Sequence, residues 1–156
     1  MKQFLPLAVS LVLAYSAALL GSLFTAGAID TWYATLAKPE LNPPSWLFGP
    51  VWTALYTLMA IAAWRVYKKK KTSRTVPKVL YVYLFHLAVN AFWSIAFFGL
   101  QNPMLALVVI VVLWALIVYL VTRFFRIDRL AGYLLLPYLA WVSFATYLNL
   151  MIALLN

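Results

Sequence analysis

Residues 104–122 read MLALVVIVVLWALIVYLVT, and none of these side chains carries a charge. An α-helix rises about 1.5 Å per residue, so about 20 apolar residues are needed to cross the hydrocarbon core of a bilayer. The stretch is therefore predicted to be a transmembrane helix. The rest of the chain is interpreted accordingly, as part of a protein that is surrounded by lipid.

Four further stretches on either side of this one are long and apolar enough to span a membrane. Polar or proline-containing breaks separate them, and the longest breaks are 27–44 and the basic run 68–78. The sequence predicts an all-α integral membrane protein, a bundle of five transmembrane helices that forms a single domain over residues 1–156, with 27–44 as a capping loop. The predicted spans are 4–26, 45–67, 79–100, 104–122 and 130–155.

The composition supports this class and excludes several kinds of chemistry. The chain is 67% hydrophobic and only 10% charged, whereas soluble domains have about 25% charged residues. It has no cysteine, one histidine and three acidic residues, which excludes disulfides, a Ser-His-Asp triad, paired-carboxylate catalysis and a multi-histidine metal site. No metal site is predicted, and Asp30, Glu40 and Asp128 are expected in polar breaks.

The basic residues predict an orientation. Of the 12 Lys and Arg side chains, all but Lys38 fall on the side shared by the amino terminus, including Lys2, and the loops 68–78 and 123–129. Basic residues are retained on the cytoplasmic side, so the amino terminus and basic loops are predicted inside and the carboxyl terminus outside. The run 68–71 is interpreted as a topology signal that touches anionic lipid, and no nucleic-acid partner is predicted.

The first span has two interpretations. Lys2 ahead of an apolar run, with a small-residue site at 26–28, would also suit a signal peptide, but the apolar core is longer than an h-region. We predict a transmembrane helix with a small-residue packing face, against this bundle or a second copy. That face is expected to contain residues four apart, namely Ser10, Ala14, Ala18, Ser22 and Ala26.

The loop between the first two spans carries three prolines, which fix φ near −65° and predict an ordered, extended cap. Polar and aromatic residues then share faces on three later spans: Trp52 with Tyr56, His86 with Asn90, Trp93 and Phe97, and Tyr138 with Trp141, Ala145 and Asn149. An unsatisfied amide in hydrocarbon costs several kcal/mol, so Asn90 and Asn149 are expected to face inward.

Periodicity alone leaves two interpretations of these faces open. They fill a solid core, which periodicity favours, or they line a pocket for a flat, apolar ligand. His86 is interpreted as a hydrogen-bonded packing residue, with haem ligation and proton relay as alternatives. Arg65 is expected to extend its guanidinium to the membrane interface.

Four blocks of sequence resemble the translocator proteins, also called tryptophan-rich sensory proteins, of the TspO/MBR family. The resemblance covers nearly the whole chain and rests on blocks that occur in the same order. They are Trp32-Tyr33 with Lys38-Pro39 and Asn42-Pro43-Pro44; Phe48, Trp52 and Tyr56; Asn90-Ala91-Phe92-Trp93 with Phe97-Phe98-Gly99; and Pro137-Tyr138-Leu139-Ala140-Trp141 with Phe144-Ala145-Thr146-Tyr147-Leu148-Asn149.

The resemblance implies a ligand pocket near the non-basic side, roofed by the first loop, and this reverses the preference for a solid core. It implies a membrane sensor or carrier of porphyrin-type tetrapyrroles, with drug-like or sterol ligands as further candidates. Porphyrin or haem would be a bound ligand and no cofactor is obligatory. A homodimer in a bacterial cell membrane is expected. The implied ligand-binding residues are Tyr33, Trp52, Tyr56, Asn90, Trp93, Phe97, Tyr138, Trp141 and Ala145.

Two alternative functions remain open. One is an enzyme that degrades porphyrin in light and oxygen, with Trp52 and Trp141 as the candidate reactive residues; the other is a tetrapyrrole transporter. The chain departs from the family pattern at Leu41, where many members have tryptophan. It also lacks a basic residue at the end of the last span, so specific sterol binding is not predicted.

Overall fold

The structure is a computed structural model that describes residues 4–156; Lys2, one of the basic residues used to predict orientation, lies outside this range. Within the described residues the chain forms five helices long and apolar enough to cross a membrane. In order they are α1 (Leu5–Ala28), continued by a π-helical turn (Ile29–Tyr33); a 3₁₀ turn (Ser45–Leu47) leading into α2 (Phe48–Lys68); α3 (Val76–Ser94), continued by a second π-helical turn (Ile95–Gly99); α4 (Pro103–Ile127); and α5 (Arg129–Leu155).

The helices form a ring in the order α1, α2, α5, α4, α3, with α3 packed against α1 to close it. The protein is therefore the predicted all-α five-helix membrane bundle. Asp128 alone separates α4 from α5 and is the N-cap of α5, since its Oδ1 accepts a hydrogen bond of 3.0 Å from the amide of Ala131.

Arg65 forms an ion pair at the basic end of the bundle. Its guanidinium donates two hydrogen bonds to Asp128, from Nε to Oδ1 at 3.1 Å and from Nη2 to Oδ2 at 3.0 Å. That the guanidinium reaches the membrane interface stays a prediction. Burial of the Asp128 carboxyl would raise its pKa, but the hydrogen bonds from Arg65 and the Ala131 amide outweigh burial and lower the pKa. Arg65 therefore ties α2 to the α4–α5 junction.

The predicted ends of three elements were wrong. The first helix does not stop at residue 26 but continues through its π-helical turn to Tyr33, so Asp30 lies exposed on a helix and only 36–44 is irregular. Gly27 and the polar residues after it resembled a break, but none of them prevents helical hydrogen bonding. The third helix begins at Val76, because a proline is tolerated in a first helical turn. The fourth continues past 122 to Ile127.

Only two of the five predicted members of the small-residue face of α1 are buried in the bundle. Ser10 and Ala14 are buried, and the Ser10 hydroxyl donates to the Ala60 carbonyl at 2.7 Å, but the buried row then shifts to Ala17 and Gly21. Every fourth residue advances 400° around a helix, about 40° beyond a full turn, so such a row drifts off the contact face. The later members of the predicted face border a cavity instead, namely Ala18, Ser22 and Ala26.

The two ends of the bundle are packed differently. Toward the basic loop 69–75, α2, α3 and α4 meet in a solid core whose fully buried members include Met59, Val66, Val76, Ile117 and Phe124. At the opposite end the helices enclose a cavity. Periodicity left two interpretations open, a solid core and a pocket, and each of them describes one half of the bundle.

Candidate functional site

The cavity lies between α1, α2, α3 and α5 in the half of the bundle remote from the basic loop. Its volume is about 670 Å³, within the range of small-molecule sites. None of the described residues that line it carries a charge, and α4 contributes none of them. The lining is therefore apolar and aromatic, with a few hydroxyl and amide groups.

Aromatic rings from three helices form the walls. Trp52 on α2 lies 5.6 Å from the Tyr56 ring, and Trp141 on α5 meets Phe48 edge-to-face at 6.2 Å. Across the cavity Trp93 stacks on Phe97 with the ring centroids 5.4 Å apart. These contacts fix the rings by packing, so that flat indole and phenyl surfaces are presented to the interior.

Asn90 is the principal polar group of the lining. Its Oδ1 accepts a hydrogen bond from the Tyr56 hydroxyl, and its Nδ2 donates to the Tyr138 hydroxyl at 2.7 Å. An asparagine amide has two N–H donors and two acceptor lone pairs, so one of each remains for a ligand. The amide orientation is held by two buried tyrosines and is therefore fixed before any ligand binds.

Asn149 has a different role at the other end of the cavity. Its Oδ1 accepts from the Trp93 indole N–H at 3.0 Å, and its Nδ2 donates to the Pro103 carbonyl at 2.8 Å. It thus holds a wall ring in place and joins α3, α4 and α5. Both asparagines face inward, as the sequence predicted.

Residues 34–44, here called the lid, form a loop at the cavity end of the bundle, although none of them lines the cavity itself. The Tyr33 hydroxyl donates to Asn42 Oδ1 at 2.7 Å, and the Lys38 ammonium lies 4.8 Å from the centroid of the Tyr33 ring. Lys38 also donates to the Leu36 carbonyl at 3.0 Å. The Asn156 side chain forms two 3.0 Å hydrogen bonds with the Ala37 backbone, so the lid is fastened to α5 as well.

The cavity is open on one side, between α1 and α2. The lining residues on this side are small and exposed: Ser22 and Ala26 on α1, with Gly49 and Thr53 on α2. Toward the basic end the Tyr15 hydroxyl closes the gap by a hydrogen bond of 2.5 Å to Thr57. The opening therefore faces the hydrocarbon region that surrounds the bundle.

Eight of the nine predicted site residues line the cavity: Tyr33, Trp52, Tyr56, Asn90, Trp93, Phe97, Trp141 and Ala145. Tyr138 does not. It is fully buried one layer behind, between Asn90 and His86, with its ring edge-to-face to Trp52 at 6.3 Å. That these residues bind a ligand stays a prediction.

Sequence reasoning missed the contribution of α1 to the site. Gly21, Thr25 and Ile29 line the cavity. A Cβ at Gly21 would lie 3.0 Å from the Ser94 hydroxyl oxygen, so this glycine lets α1 approach α3. The row of small residues in the first span was the available signal, but small residues that pack against a helix and small residues that border a cavity look alike in sequence.

His86 and the acidic residues are placed away from the cavity. Both ring nitrogens of His86 are engaged, Nδ1 with the Tyr83 carbonyl at 3.0 Å and Nε2 with the Tyr138 hydroxyl at 2.8 Å. Across residues 4–156, no three His, Asp or Glu side chains come together in a group that could hold a metal ion.

The fold and the cavity together define an integral membrane protein of the helical-bundle class with an aromatic internal cavity. The chain belongs to the TspO/MBR family, whose sequence model matches residues 8–155. It is 45% identical to the tryptophan-rich protein TspO of Chlorobaculum tepidum, over 99% of this chain and 98% of that protein. It is 40% identical to a tryptophan-rich sensory protein of Cereibacter sphaeroides (83% and 81%) and 37% identical to the human translocator protein (83% and 77%).

Proposed function

We propose that this protein is a membrane sensor or carrier that binds porphyrin-type tetrapyrroles in the cavity. The observation that carries the proposal is a cavity of about 670 Å³ walled by Trp52, Trp93 and Trp141 beside the oriented amide of Asn90. A tetrapyrrole is a large flat π system, and each ring stacked on it contributes about 0.5 to 1.5 kcal/mol beyond the burial of area.

The distribution of polar groups predicts how the ligand lies. The free N–H and lone pair of Asn90 suit the polar interior or one edge of the macrocycle. Because the described lining carries no charge, ionised propionates would be costly in the interior. The opening between α1 and α2 gives a ligand dissolved in the bilayer a lateral route into the cavity.

Titration with protoporphyrin tests the proposal. Binding is expected to quench the fluorescence of the wall tryptophans, and replacement of Trp52 and Trp141 by alanine is expected to weaken binding. Trp114 offers a matched control, since it lies on α4 and donates to the Ser143 hydroxyl at 2.8 Å, away from the cavity. Equal affinity of wild type, the Trp52→Ala, Trp141→Ala variant and Trp114→Phe would refute this site.

A second candidate function is light-dependent breakdown of the bound tetrapyrrole. The positions of Trp52 and Trp141 favour it, since two oxidisable indoles border one cavity that is open to dissolved oxygen. Illumination of the complex in air should then bleach the Soret band, and phenylalanine at both positions should slow the bleaching. Bleaching at an unchanged rate would leave only the binding function.

We also propose that the amino terminus and the basic loop face the cytoplasm of a bacterial cell. The protein has no cysteine, so single cysteines can be introduced at Lys71 and Glu40 with no background labelling of native cysteines. An impermeant maleimide added outside intact spheroplasts should label the Glu40→Cys variant and not the Lys71→Cys variant. The reverse pattern would invert the orientation.

The homodimer expected from the family resemblance is a separate proposal. Light scattering of the purified protein, corrected for bound detergent, should give twice the mass of the 17.7 kDa chain. A mass of one chain across detergents of different chain length would contradict it.

A further inference from the structure

A chain of buried hydrogen bonds leads from the cavity into the solid half of the bundle. It begins at Tyr56, whose hydroxyl donates to Asn90, and continues through the 2.7 Å bond from Asn90 to Tyr138. Tyr138 is joined to His86 Nε2 at 2.8 Å, and His86 Nδ1 to the Tyr83 carbonyl at 3.0 Å. Orientation of the Asn90 amide requires only the first two links, so the hydrogen bond between Tyr138 and His86 is not needed to form the cavity wall.

The direction of each proton in this chain follows from the chemistry of its ends. A carbonyl oxygen can only accept, so His86 carries its proton on Nδ1 and presents a lone pair at Nε2. The Asn90 amide nitrogen can only donate, so the Tyr138 oxygen accepts from it. The phenolic proton of Tyr138 therefore points at the basic nitrogen of His86, within the distance that proton transfer requires.

Tyr138 is also in contact with the wall of the cavity. Its ring meets Trp52 edge-to-face, with the centroids 6.3 Å apart, and Trp52 in turn lines the cavity. The order from the interior of the cavity outward is Trp52, Tyr138, His86. An electron can therefore move from Tyr138 to Trp52 while the proton moves in the opposite direction, to His86.

We propose that Tyr138 and His86 form a proton-coupled electron donor that re-reduces Trp52 after its oxidation by a photoexcited ligand. The inference rests on the proposed binding of tetrapyrroles, which supply the oxidant. The excited tetrapyrrole takes one electron from the Trp52 indole and becomes a radical anion, leaving an indole radical cation. Tyr138 then gives one electron to Trp52 and its phenolic proton to His86 Nε2. The products are neutral Trp52, a neutral tyrosyl radical and a His86 imidazolium.

The surroundings make this state temporary. His86 is fully buried, and its hydrogen-bond and ring partners among the described residues, Tyr83 and Tyr138, carry no charge. An imidazolium without a counter-charge in such an environment is costly, so the proton returns to Tyr138 as the electron returns from the tetrapyrrole radical anion. The cycle quenches the excited ligand with no net chemistry and protects Trp52 from permanent oxidation.

Electron paramagnetic resonance of the illuminated, oxygen-free complex with protoporphyrin tests the inference, after dark titration has shown binding. Wild type is expected to give a tyrosyl radical, and Tyr138→Phe, which keeps the ring, is expected to lose it. Tyr83→Phe is the matched control: within residues 4–156 the Tyr83 hydroxyl is buried with no hydrogen-bond partner, so it has no base to take its proton. This variant should keep the signal.

A second variant and a solvent change separate proton transfer from folding. His86→Gln can still accept a hydrogen bond from Tyr138 but cannot hold its proton, so radical formation should slow by about 100-fold or more. Wild type should form the radical more slowly in deuterated buffer. Binding in the dark without a tyrosyl radical, or an unchanged radical in Tyr138→Phe, would overturn the donor pair alone. Absence of dark binding would overturn the proposed function and the inference with it.

Discussion

Arg65 on α2 binds both carboxylate oxygens of Asp128, the single residue between α4 and α5, at 3.1 and 3.0 Å. The carboxyl group is largely buried, with 8% of the side chain exposed, and it also caps α5 through the Ala131 amide. One aspartate thus joins three helices at the solid end of the bundle, opposite the cavity.

Replacement of Asp128 should separate its two roles. Asp128→Ala removes the cap and the ion pair, and the cap alone is worth about 0.5 to 2 kcal/mol. Asp128→Asn keeps an oxygen that can cap α5 but loses the charge, so it should destabilise the protein less. Thermal unfolding in detergent, followed by circular dichroism, measures the difference. Equal losses of thermal stability in both variants would mean that the cap contributes nothing.

The same carboxyl group should make stability depend on pH. Arg65 and the Ala131 amide lower the pKa of Asp128 in the folded protein below its value in the unfolded chain. Its stabilising contribution is therefore complete above the ordinary carboxyl range, about pH 4, and is lost as the pH falls through the lowered value. The difference in unfolding temperature between wild type and Asp128→Asn should shrink on acidification below that range. A difference that stays constant would contradict this linkage.

Hydropathy and helical periodicity report length and direction directly, so the sequence predicted the number of spans and the inward asparagines, and with the family resemblance it predicted eight residues of the cavity wall. Periodicity does not report how far along the bundle axis a residue lies relative to the cavity. Tyr138 points to the same side as Trp141 but lies about one turn nearer the basic end, where the cavity has already closed. The π-helical turn at 29–33 could not be predicted either, because it requires no glycine or proline and leaves no mark on the pattern.

Replacement by alanine should change stability in opposite directions at two glycines, one in a crowded position and one in an open position. A Cβ at Gly132 would lie 2.3 Å from Cγ of the Phe125 ring, so Gly132→Ala has to displace that ring and should cost about 1 to 3 kcal/mol. Gly27 lies inside α1, and no atom of the described residues comes within 4 Å of its Cβ position, so Gly27→Ala should stabilise the protein by about 0.5 to 1 kcal/mol.

Denaturation of both glycine variants in a mixed micelle measures these changes in the free energy of unfolding. Removing the obstructing ring in a Phe125→Ala, Gly132→Ala double variant should cost less than the sum of the two single changes, since the clash is then absent. Strict additivity of the two changes would show that the contact between α4 and α5 at this point is looser than the structure describes.

The hydrogen bond between Tyr33 and Asn42 should lengthen the stay of a ligand in the cavity, because it fixes the Tyr33 ring, which lines the cavity. Tyr33→Phe keeps the aromatic surface that lines the cavity but removes the 2.7 Å bond that holds the lid to the end of α1. A bond of this kind contributes about 0.5 to 1.5 kcal/mol, so dissociation of bound protoporphyrin should accelerate by about 2- to 10-fold. Stopped-flow recovery of tryptophan fluorescence after dilution measures this rate. Thr35→Val is the control, because among residues 4–156 the Thr35 hydroxyl bonds only to the Trp32 carbonyl of its own turn, and its loss should leave the rate unchanged. Equal dissociation rates for Tyr33→Phe and wild type would show that ligand leaves between α1 and α2 without movement of the lid.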